Sequence, residues 1–428
     1  MHYELLLPRR ILFGWGRRSE LPRAAAVIGR RALLVPGSRT LEANGSIAAL
    51  VDSLQEEGIA VEQIATQSRE PEVADVDRTA NLVRKLPLRD GDFLLAVGGG
   101  SAIDLAKAVA AMAVNRAGES VRDYLEGVGR GLTLTEPPLP IVAVPTTAGT
   151  GSEATKNAVI SSCDPPFKKS LRSDALLPRL VVVDPELTVS TPRSVTAQSG
   201  MDALTQLIES FISRRAKPVP QALCRQGIPL ALNSLVEAVE QPASRTAREN
   251  MAHAALLSGI ALANSGLGMA HGVAAALGVH CRVPHGLACA VMLPAALETN
   301  RRVSLPLIAE ISKTAFQGRH AAHGSRIREN SAVRFPHSRI LTNSATTPAT
   351  ASEGRPTSEL DDEQAAELAV ETIRDISRRI GIPERLSEIG VTAEHIPDLV
   401  RSSRGNSMSG NPREISDGEL AAILEGLL

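Results

Sequence analysis

Four side chains with metal-binding donor atoms stand out after residue 200 of this 428-residue chain. Asp202 and Gln206 are four residues apart in a strongly helical pattern, so both side chains leave the same helix face. His271 and His285 each stand directly before a glycine. Carboxylate, amide and imidazole donors predict a divalent metal site that keeps an open position. The alternative is structural, with Asp202 as a helix cap and the histidines hydrogen-bonded inside the core.

A run of glycines in the first half predicts a phosphate site. Residues 92–97 have strand character and residues 102–110 have helical periodicity, and between them stand Gly98, Gly99, Gly100 and Ser101. Glycines allow the backbone to approach an anion, and the free N–H groups of a helix's first turn point at it. The spacing differs from the common dinucleotide fingerprint, so a tight turn without a ligand is the alternative.

A third feature is a loop rich in hydroxyls and glycines, residues 145–153, which follows the apolar run 141–144. Its Thr146, Thr147 and Thr150 are suited to a pyrophosphate or a ribose, although an ordinary polar connection has the same composition. Three such features in this order are harder to explain by structure alone than any one of them.

Together these motifs resemble the iron-containing (group III) alcohol dehydrogenases, a family within the dehydroquinate-synthase-like superfamily. The resemblance extends from about Pro8 to the end of the chain, with one long interruption. Its motifs are specific for the family but not for a substrate. They are residues 98–104, 145–153, 184–187, 200–205, 269–272, 283–286 and 410–413.

The resemblance implies reversible hydride transfer between the carbon of a small alcohol or aldehyde and C4 of a nicotinamide, NADP or NAD. Fe2+, or alternatively Zn2+, would stabilise the developing alkoxide. We expect a homo-oligomer and assign no catalytic residue. The implied metal ligands are Asp202, Gln206, His271 and His285. The implied cofactor residues are Gly98, Gly99, Gly100, Ser101, Asp104, Thr146, Thr147, Thr150, Lys168 and Leu187, with Lys169 as an alternative to Lys168.

The chain departs from the family pattern at two positions. The family metal is typically held by one aspartate and three histidines, and Gln206 stands where one of those histidines is expected. An amide oxygen is a neutral, weaker donor than imidazole. Ala275 stands where the family has a histidine that takes part in proton relay. Two alternatives therefore stay open: a metal-independent reductase similar to maleylacetate reductases, and a nucleotide-binding member without catalysis.

The end of the first predicted strand bears on cofactor choice. NAD-preferring relatives often carry an aspartate where Gly37 stands, and that carboxylate would repel a 2′-phosphate. Here the repulsion is absent, while Ser38 and Arg39 offer a hydroxyl and a charged fork for a phosphate. The sequence thus predicts a preference for NADPH, unless Arg39 is merely a solvated residue at a helix start.

Composition excludes several other classes of protein. The net charge of −1 gives no electrostatic argument for nucleic acid or a membrane surface as partner. No apolar run reaches the ~20 residues needed to span a bilayer, and the N-terminus lacks the features of a secretory signal. Four cysteines without paired spacing favour a reduced, cytoplasmic setting.

Apolar periodicity predicts an α/β N-terminal domain, residues 1–192, with a Rossmann-like parallel sheet, and an all-α C-terminal domain, residues 193–428. The predicted strands are 32–35, 93–97, 141–144 and 180–183. The predicted helices are 46–57, 74–85, 102–115, 197–213, 221–239, 246–264 and 363–380. Residues 317–361 are polar and aperiodic, which predicts a flexible surface insertion. We expect the ligand cleft between the two domains.

Overall fold

The computed structural model describes residues 2–322 and 360–428. The strands are β1 (Ile11–Phe13), β2 (Arg31–Pro36), β3 (Ala60–Gln63), β4 (Asp92–Gly98), β5 (Ile141–Pro145), β6 (Asn157–Cys163), β7 (Pro166–Arg172) and β8 (Leu180–Val183). The helices of the first half are α1 (Leu21–Ala26), α2 (Arg39–Ala43), α3 (Ser46–Glu56), α4 (Val73–Lys85) and α5 (Gly100–Val114). The helices of the second half are α6 (Arg193–Ile212), α7 (Pro218–Glu240), α8 (Arg245–Asn264), α9 (Met269–Cys281), α10 (His285–Ala322), α11 (Asp362–Ile380), α12 (Ile396–Ser402) and α13 (Asp417–Gly426).

Six strands form a parallel sheet in the order β1-β8-β5-β4-β2-β3. Its central strands β4, β5 and β8 are almost entirely apolar, because helices cover both faces of the sheet. The register places Pro36 opposite Val97 and Gly98 opposite Pro145. The loops after β2, β4 and β5 therefore leave the sheet at one edge, where the strand order reverses and ligands of such sheets bind.

The four predicted strands are all present, and the predicted α/β half with a parallel sheet is confirmed. An antiparallel hairpin, β6 with β7, was not predicted; it packs against α5 on one side and α9 on the other. Its chain combines two adjacent lysines with a turn at Asp164 and Pro165, which breaks up any apolar alternation. This hairpin brings Lys168 to the second half of the molecule.

The second half is helical, as predicted. Helix α6 is buried along most of its length, with α7, α8, α9 and α10 packed around it. Its core is mainly aliphatic, in keeping with a chain that is only 2% aromatic. Among residues 2–322 and 360–428, no single helix has the length and apolar character to span a bilayer. Helices α8 and α9 have that length and character only when they are taken together, and a bend of 97° separates them.

The predicted insertion at 317–361 starts too early and ends too late. Helix α10, kinked at Ser304, continues through Ala322. Asp361 already caps α11, because its side chain accepts from the backbone N–H of Gln364. The remainder of the predicted insertion, residues 323–359, lies outside the described residues.

Candidate metal and cofactor site

Four side chains converge at the centre of the helical half. The donor atoms of Asp202, His271, His285 and Cys289 all lie within 4.8 Å of one another. Nε2 of His271 is 3.3 Å from Oδ1 of Asp202, and Nε2 of His285 is 3.9 Å from the same oxygen. Sγ of Cys289 is 3.7 Å from Nε2 of His285. The two histidines predicted as metal ligands therefore face the same carboxylate.

Three helices position this cluster. Asp202 lies in the buried middle of α6, His271 in the first turn of α9, and His285 is the first residue of α10. Cys289 follows His285 by one helical turn, so both side chains leave the same face of α10. Close packing of α9 and α10 against α6 thus brings together residues that are up to 87 positions apart.

Glu209 fixes the orientation of His271 and was not among the predicted residues. Its carboxylate accepts from Nδ1 of His271 at 2.7 Å, which directs Nε2 of that ring toward Asp202. It also accepts from the backbone N–H groups of Gly268, Ala270 and His271, at the start of α9. A carboxylate behind a metal-binding histidine is the usual outer partner of such ligands. The missed signal was its spacing, seven residues after Asp202 on the same face of α6.

The protonation chemistry of the cluster suits a divalent cation. Burial lowers the pKa of His285 to about 4, so its imidazole is neutral, as a metal ligand must be. Burial alone would raise the pKa of Asp202, but the hydrogen bond with His271 and the charges of both histidines hold it below its usual value. Nδ1 of His285 is buried and has no hydrogen-bond partner among the described residues. Burial alone would lower the pKa of His271, but Cys289 and the hydrogen bonds with Asp202 and Glu209 raise it well above its usual value. The ionised carboxylate of Asp202 beside the neutral imidazole of His285 fits the metal that the sequence predicts.

Gln206 is occupied elsewhere. Its amide oxygen accepts from the hydroxyl of Ser258 at 2.7 Å, and its amide nitrogen donates to the backbone carbonyl of Thr150 at 3.2 Å. The side chain thus joins α6 to α8 and to the loop after β5. Its role as a metal ligand stays a prediction.

The glycine motif forms the predicted strand, turn and helix. Strand β4 ends at Gly98, and α5 begins at Gly100 with Gly99 as its N-cap residue. The loop after β5 packs closely on this turn: a Cβ added to Gly100 would lie 2.6 Å from Oγ1 of Thr150, and one added to Gly99 would lie 3.1 Å from Oγ1 of Thr147. The backbone N–H of Thr146 donates to the carbonyl of Gly98. Glycine is therefore needed here for the close approach of the two loops.

A buried ionisable group lies beneath these loops. Asp104 accepts from the hydroxyl of Ser152, and Nζ of Lys107 donates to the carbonyls of Ser152, Thr155 and Asn157. Burial raises the pKa of Asp104 to about 6 and lowers that of Lys107 to about 8. The predicted supporting role of Asp104 agrees with these contacts, whereas Lys107, one helical turn further along α5, was missed.

A cleft of about 650 Å³ connects the cofactor loops to the cluster of metal-binding side chains. Its predicted lining residues are Gly100, Ser101, Asp104, Thr150, Lys168, Asp202, Gln206, His271 and His285. Lys168 forms an ion pair with Glu70 at the hairpin side of the cleft. Ala275 also faces the cleft, as the position of the family's relay histidine implies.

The other predicted cofactor residues lie outside the cleft lining. Gly98, Gly99, Thr146 and Thr147 form the loops at the sheet edge. At the neighbouring edge, Ser38 caps α2 and Arg39 is exposed, with its guanidinium donating to the hydroxyl of Ser68. Leu187 is buried in the core between the sheet and its helices, so its contact with the cofactor stays a prediction.

The chain is similar to known proteins over its whole length. Residues 8–185 match the iron-containing alcohol dehydrogenase family, and residues 196–428 match the C-terminal domain of the Fe-containing alcohol dehydrogenase family. It is 31% identical to a 1,3-propanediol dehydrogenase of Klebsiella pneumoniae, over 98% of this chain and 97% of that protein. It is 29% identical to an NAD-dependent methanol dehydrogenase of Bacillus methanolicus, over 99% of both. A crystal structure of 1,3-propanediol oxidoreductase, 30% identical, has a TM-score of 0.84, and the match covers 100% of both chains. The chain belongs to the iron-containing alcohol dehydrogenase family.

Proposed function

We propose that this protein is a metal-assisted NAD(P)-dependent alcohol dehydrogenase, or aldehyde reductase in the reverse direction, for small substrates. The observation that carries this proposal is the shared cleft. Gly100 and Ser101, at the N-terminus of α5, line the same cleft as His271 and His285. The names of the propanediol and methanol dehydrogenases to which the chain is similar support a small alcohol as substrate.

The residues have separate tasks. Asp202, His271 and His285 hold the cation, which when bound polarises the substrate oxygen and stabilises the alkoxide. Glu209 binds Nδ1 of His271 and so keeps its Nε2 directed toward Asp202, where it would bind the cation. Backbone N–H groups at the start of α5 bind the pyrophosphate of the cofactor.

Turnover and metal content together test this proposal. The full chain is purified without chelator, analysed for metal, and assayed with a panel of small aldehydes and both reduced cofactors. His271→Ala should lower kcat/KM by about a hundredfold or more, because a ligand of the cation is lost. The control is His2→Ala, since His2 is an exposed residue outside the cleft.

The alternatives give different results in the same assay. Turnover that survives complete metal removal would identify a metal-independent reductase of the maleylacetate-reductase type. Cofactor binding without turnover of any substrate would identify a nucleotide-binding protein without catalysis.

We further propose a preference for NADPH over NADH. Gly37 has no room for the aspartate of NAD-preferring relatives, because a Cβ would lie 2.5 Å from the carbonyl oxygen of Gln67 and 2.6 Å from Cβ of Ala102. Arg39 and Ser68 face each other at this edge and can bind a 2′-phosphate.

Arg39→Ala tests this preference more cleanly than Gly37→Asp, which would force the loop to shift. We expect kcat/KM for NADPH to fall about tenfold and kcat/KM for NADH to change little. Arg23→Ala, at an exposed arginine of α1, is the control. A wild-type kcat/KM that is higher for NADH contradicts the preference.

We also propose that the protein works in the cytoplasm as a homo-oligomer, without nucleic acid or a membrane as partner. All four cysteines are free, which agrees with a reducing compartment. The net charge of −1 agrees with the absence of anionic macromolecular partners. Light scattering during size-exclusion chromatography measures the number of subunits.

A further inference from the structure

The cluster of metal-binding side chains contains a thiol that no sequence motif indicated. Cys289 is buried, and its Sγ belongs to the same compact group of donor atoms as Asp202, His271 and His285. Gln206 stands where a fourth ligand is expected, yet its amide is held by Ser258 and Thr150. The cluster therefore has three oxygen or nitrogen donors and one sulfur donor.

Two of the donor distances match those of a tetrahedral site with one sulfur. Two oxygen or nitrogen ligands at 2.0–2.1 Å from a zinc-like ion are about 3.3 Å apart, and a sulfur at 2.3 Å is about 3.6 Å from a nitrogen ligand. The structure has 3.3 Å between Asp202 and His271, and 3.7 Å between Cys289 and His285. The distance of 3.9 Å between His285 and Asp202 is longer, and all four donor atoms lie within 4.8 Å of one another.

We propose that Cys289 is the fourth protein ligand of the cation, as a thiolate, in place of the imidazole that Gln206 replaces. The assignment rests on the metal-assisted function proposed above and names its ligand set. Binding forms one metal–sulfur bond and breaks the S–H bond, and the proton leaves to solvent. A thiolate makes the site softer, so zinc and cobalt are retained in preference to manganese.

Cobalt is the probe that reports this ligand directly. The full-length protein is stripped with a chelator and reloaded with Co2+. A thiolate ligand adds an intense sulfur-to-cobalt charge-transfer band in the near ultraviolet, which oxygen and imidazole ligands do not produce. Cys289→Ser should abolish that band and reduce bound cobalt, measured by elemental analysis. Cys281→Ser is the matched control, because Cys281 ends α9 outside the donor cluster.

A second variant separates loss of the ligand from loss of the fold. Gln206→His added to Cys289→Ser should restore the bound cobalt without restoring the charge-transfer band, since an imidazole takes the vacated place. The assignment is overturned by a wild-type cobalt spectrum without the band, or by a band that persists in Cys289→Ser. A wild-type protein that takes up no cobalt also overturns it, while turnover with NADPH or NADH still decides the dehydrogenase function separately.

Discussion

Glu209 connects the cluster of metal-binding side chains to the start of α9. This buried carboxylate accepts four hydrogen bonds, three from backbone N–H groups at the start of α9 and one from Nδ1 of His271. Its negative charge lies at the positive end of the helix dipole. One side chain therefore both caps α9 and fixes the ring of His271.

Glu209→Gln should weaken metal binding about tenfold to a hundredfold, the usual effect of losing an outer partner of a metal-binding histidine. An amide has one acceptor oxygen, so it cannot serve Nδ1 of His271 and the backbone N–H groups together. Competition with a chromogenic chelator measures the dissociation constant for Zn2+. Ser210→Ala is the neighbouring control, because that hydroxyl is buried without a partner in the described part of the chain. Equal zinc affinity in wild type and Glu209→Gln contradicts the assigned role.

For individual residues, the sequence predicted which residue types form the site better than it predicted which of them are in contact. Asp202, His271 and His285 were predicted from their donors and motifs, and they do converge. Glu209 and Cys289 were missed because helical spacing alone places many polar and thiol side chains on a face. Only the packing of α9 and α10 against α6 shows which of them reach the cluster.

The turn between β4 and α5 is the element that the cofactor prediction depends on. Gly100→Ala should raise the dissociation constant of NADPH at least about tenfold, because the added methyl group would lie 2.6 Å from Oγ1 of Thr150. The double variant with Thr150→Ala removes that contact and should recover part of the affinity. Isothermal titration calorimetry measures the dissociation constant of NADPH for the wild type, the single variant and the double variant. An unchanged affinity in Gly100→Ala would show that this turn does not approach the pyrophosphate.

The buried carboxyl group of Glu153 should make stability depend on pH. Burial raises its pKa from 4.5 to about 7, so the folded state favours the neutral form. Its stabilising contribution is complete below pH 4.5 and is lost as the pH rises through about 7, since only the unfolded chain ionises freely in that window.

Glu153→Gln removes this dependence and should be more stable than wild type at pH 8 by about 2–3 kcal/mol. The difference between the two proteins should shrink toward pH 4.5. Urea unfolding across this pH range measures it, with Glu388→Gln, at an exposed residue, as the control. A constant difference at every pH would show that Glu153 does not titrate in the folded protein.

Elements were predicted well where periodicity is strong. The predicted strands and helices appear within about four residues of their predicted bounds, because an apolar run or a helical stripe reflects burial directly. Strands β1 and β3 and helices α9 and α10 were not predicted. The hairpin of β6 and β7 was missed because its stability comes from packing on α5 and α9 rather than from its own pattern.

The two halves of the molecule meet at a pair of glycines. Gly151 lies in the loop after β5 with φ +60°, and Gly259 lies in the middle of α8. A Cβ on Gly259 would be 2.2 Å from the carbonyl oxygen of Gly151, and a Cβ on Gly151 would be 2.5 Å from Cα of Gly259. Gln206 joins the same two elements through Ser258 and Thr150. Periodicity predicted the division near Pro192. It could not identify this contact, which requires glycine at both positions.

Gly259→Ala should therefore destabilise the protein, although alanine in a helix is ordinarily better than glycine by about 1 kcal/mol. The methyl group meets backbone rather than a movable side chain, so the halves must shift, which costs about 1–3 kcal/mol. Gly418→Ala in α13 is the matched control, because nothing lies within 4 Å of its added Cβ, and it should be neutral or slightly stabilising. Chemical unfolding gives both free energies of unfolding.

Because the shift separates the loop at Thr150 from α6, NADPH and zinc binding should weaken together in Gly259→Ala. A stabilised Gly259→Ala variant with both affinities intact would mean that the two halves do not meet at this contact in solution.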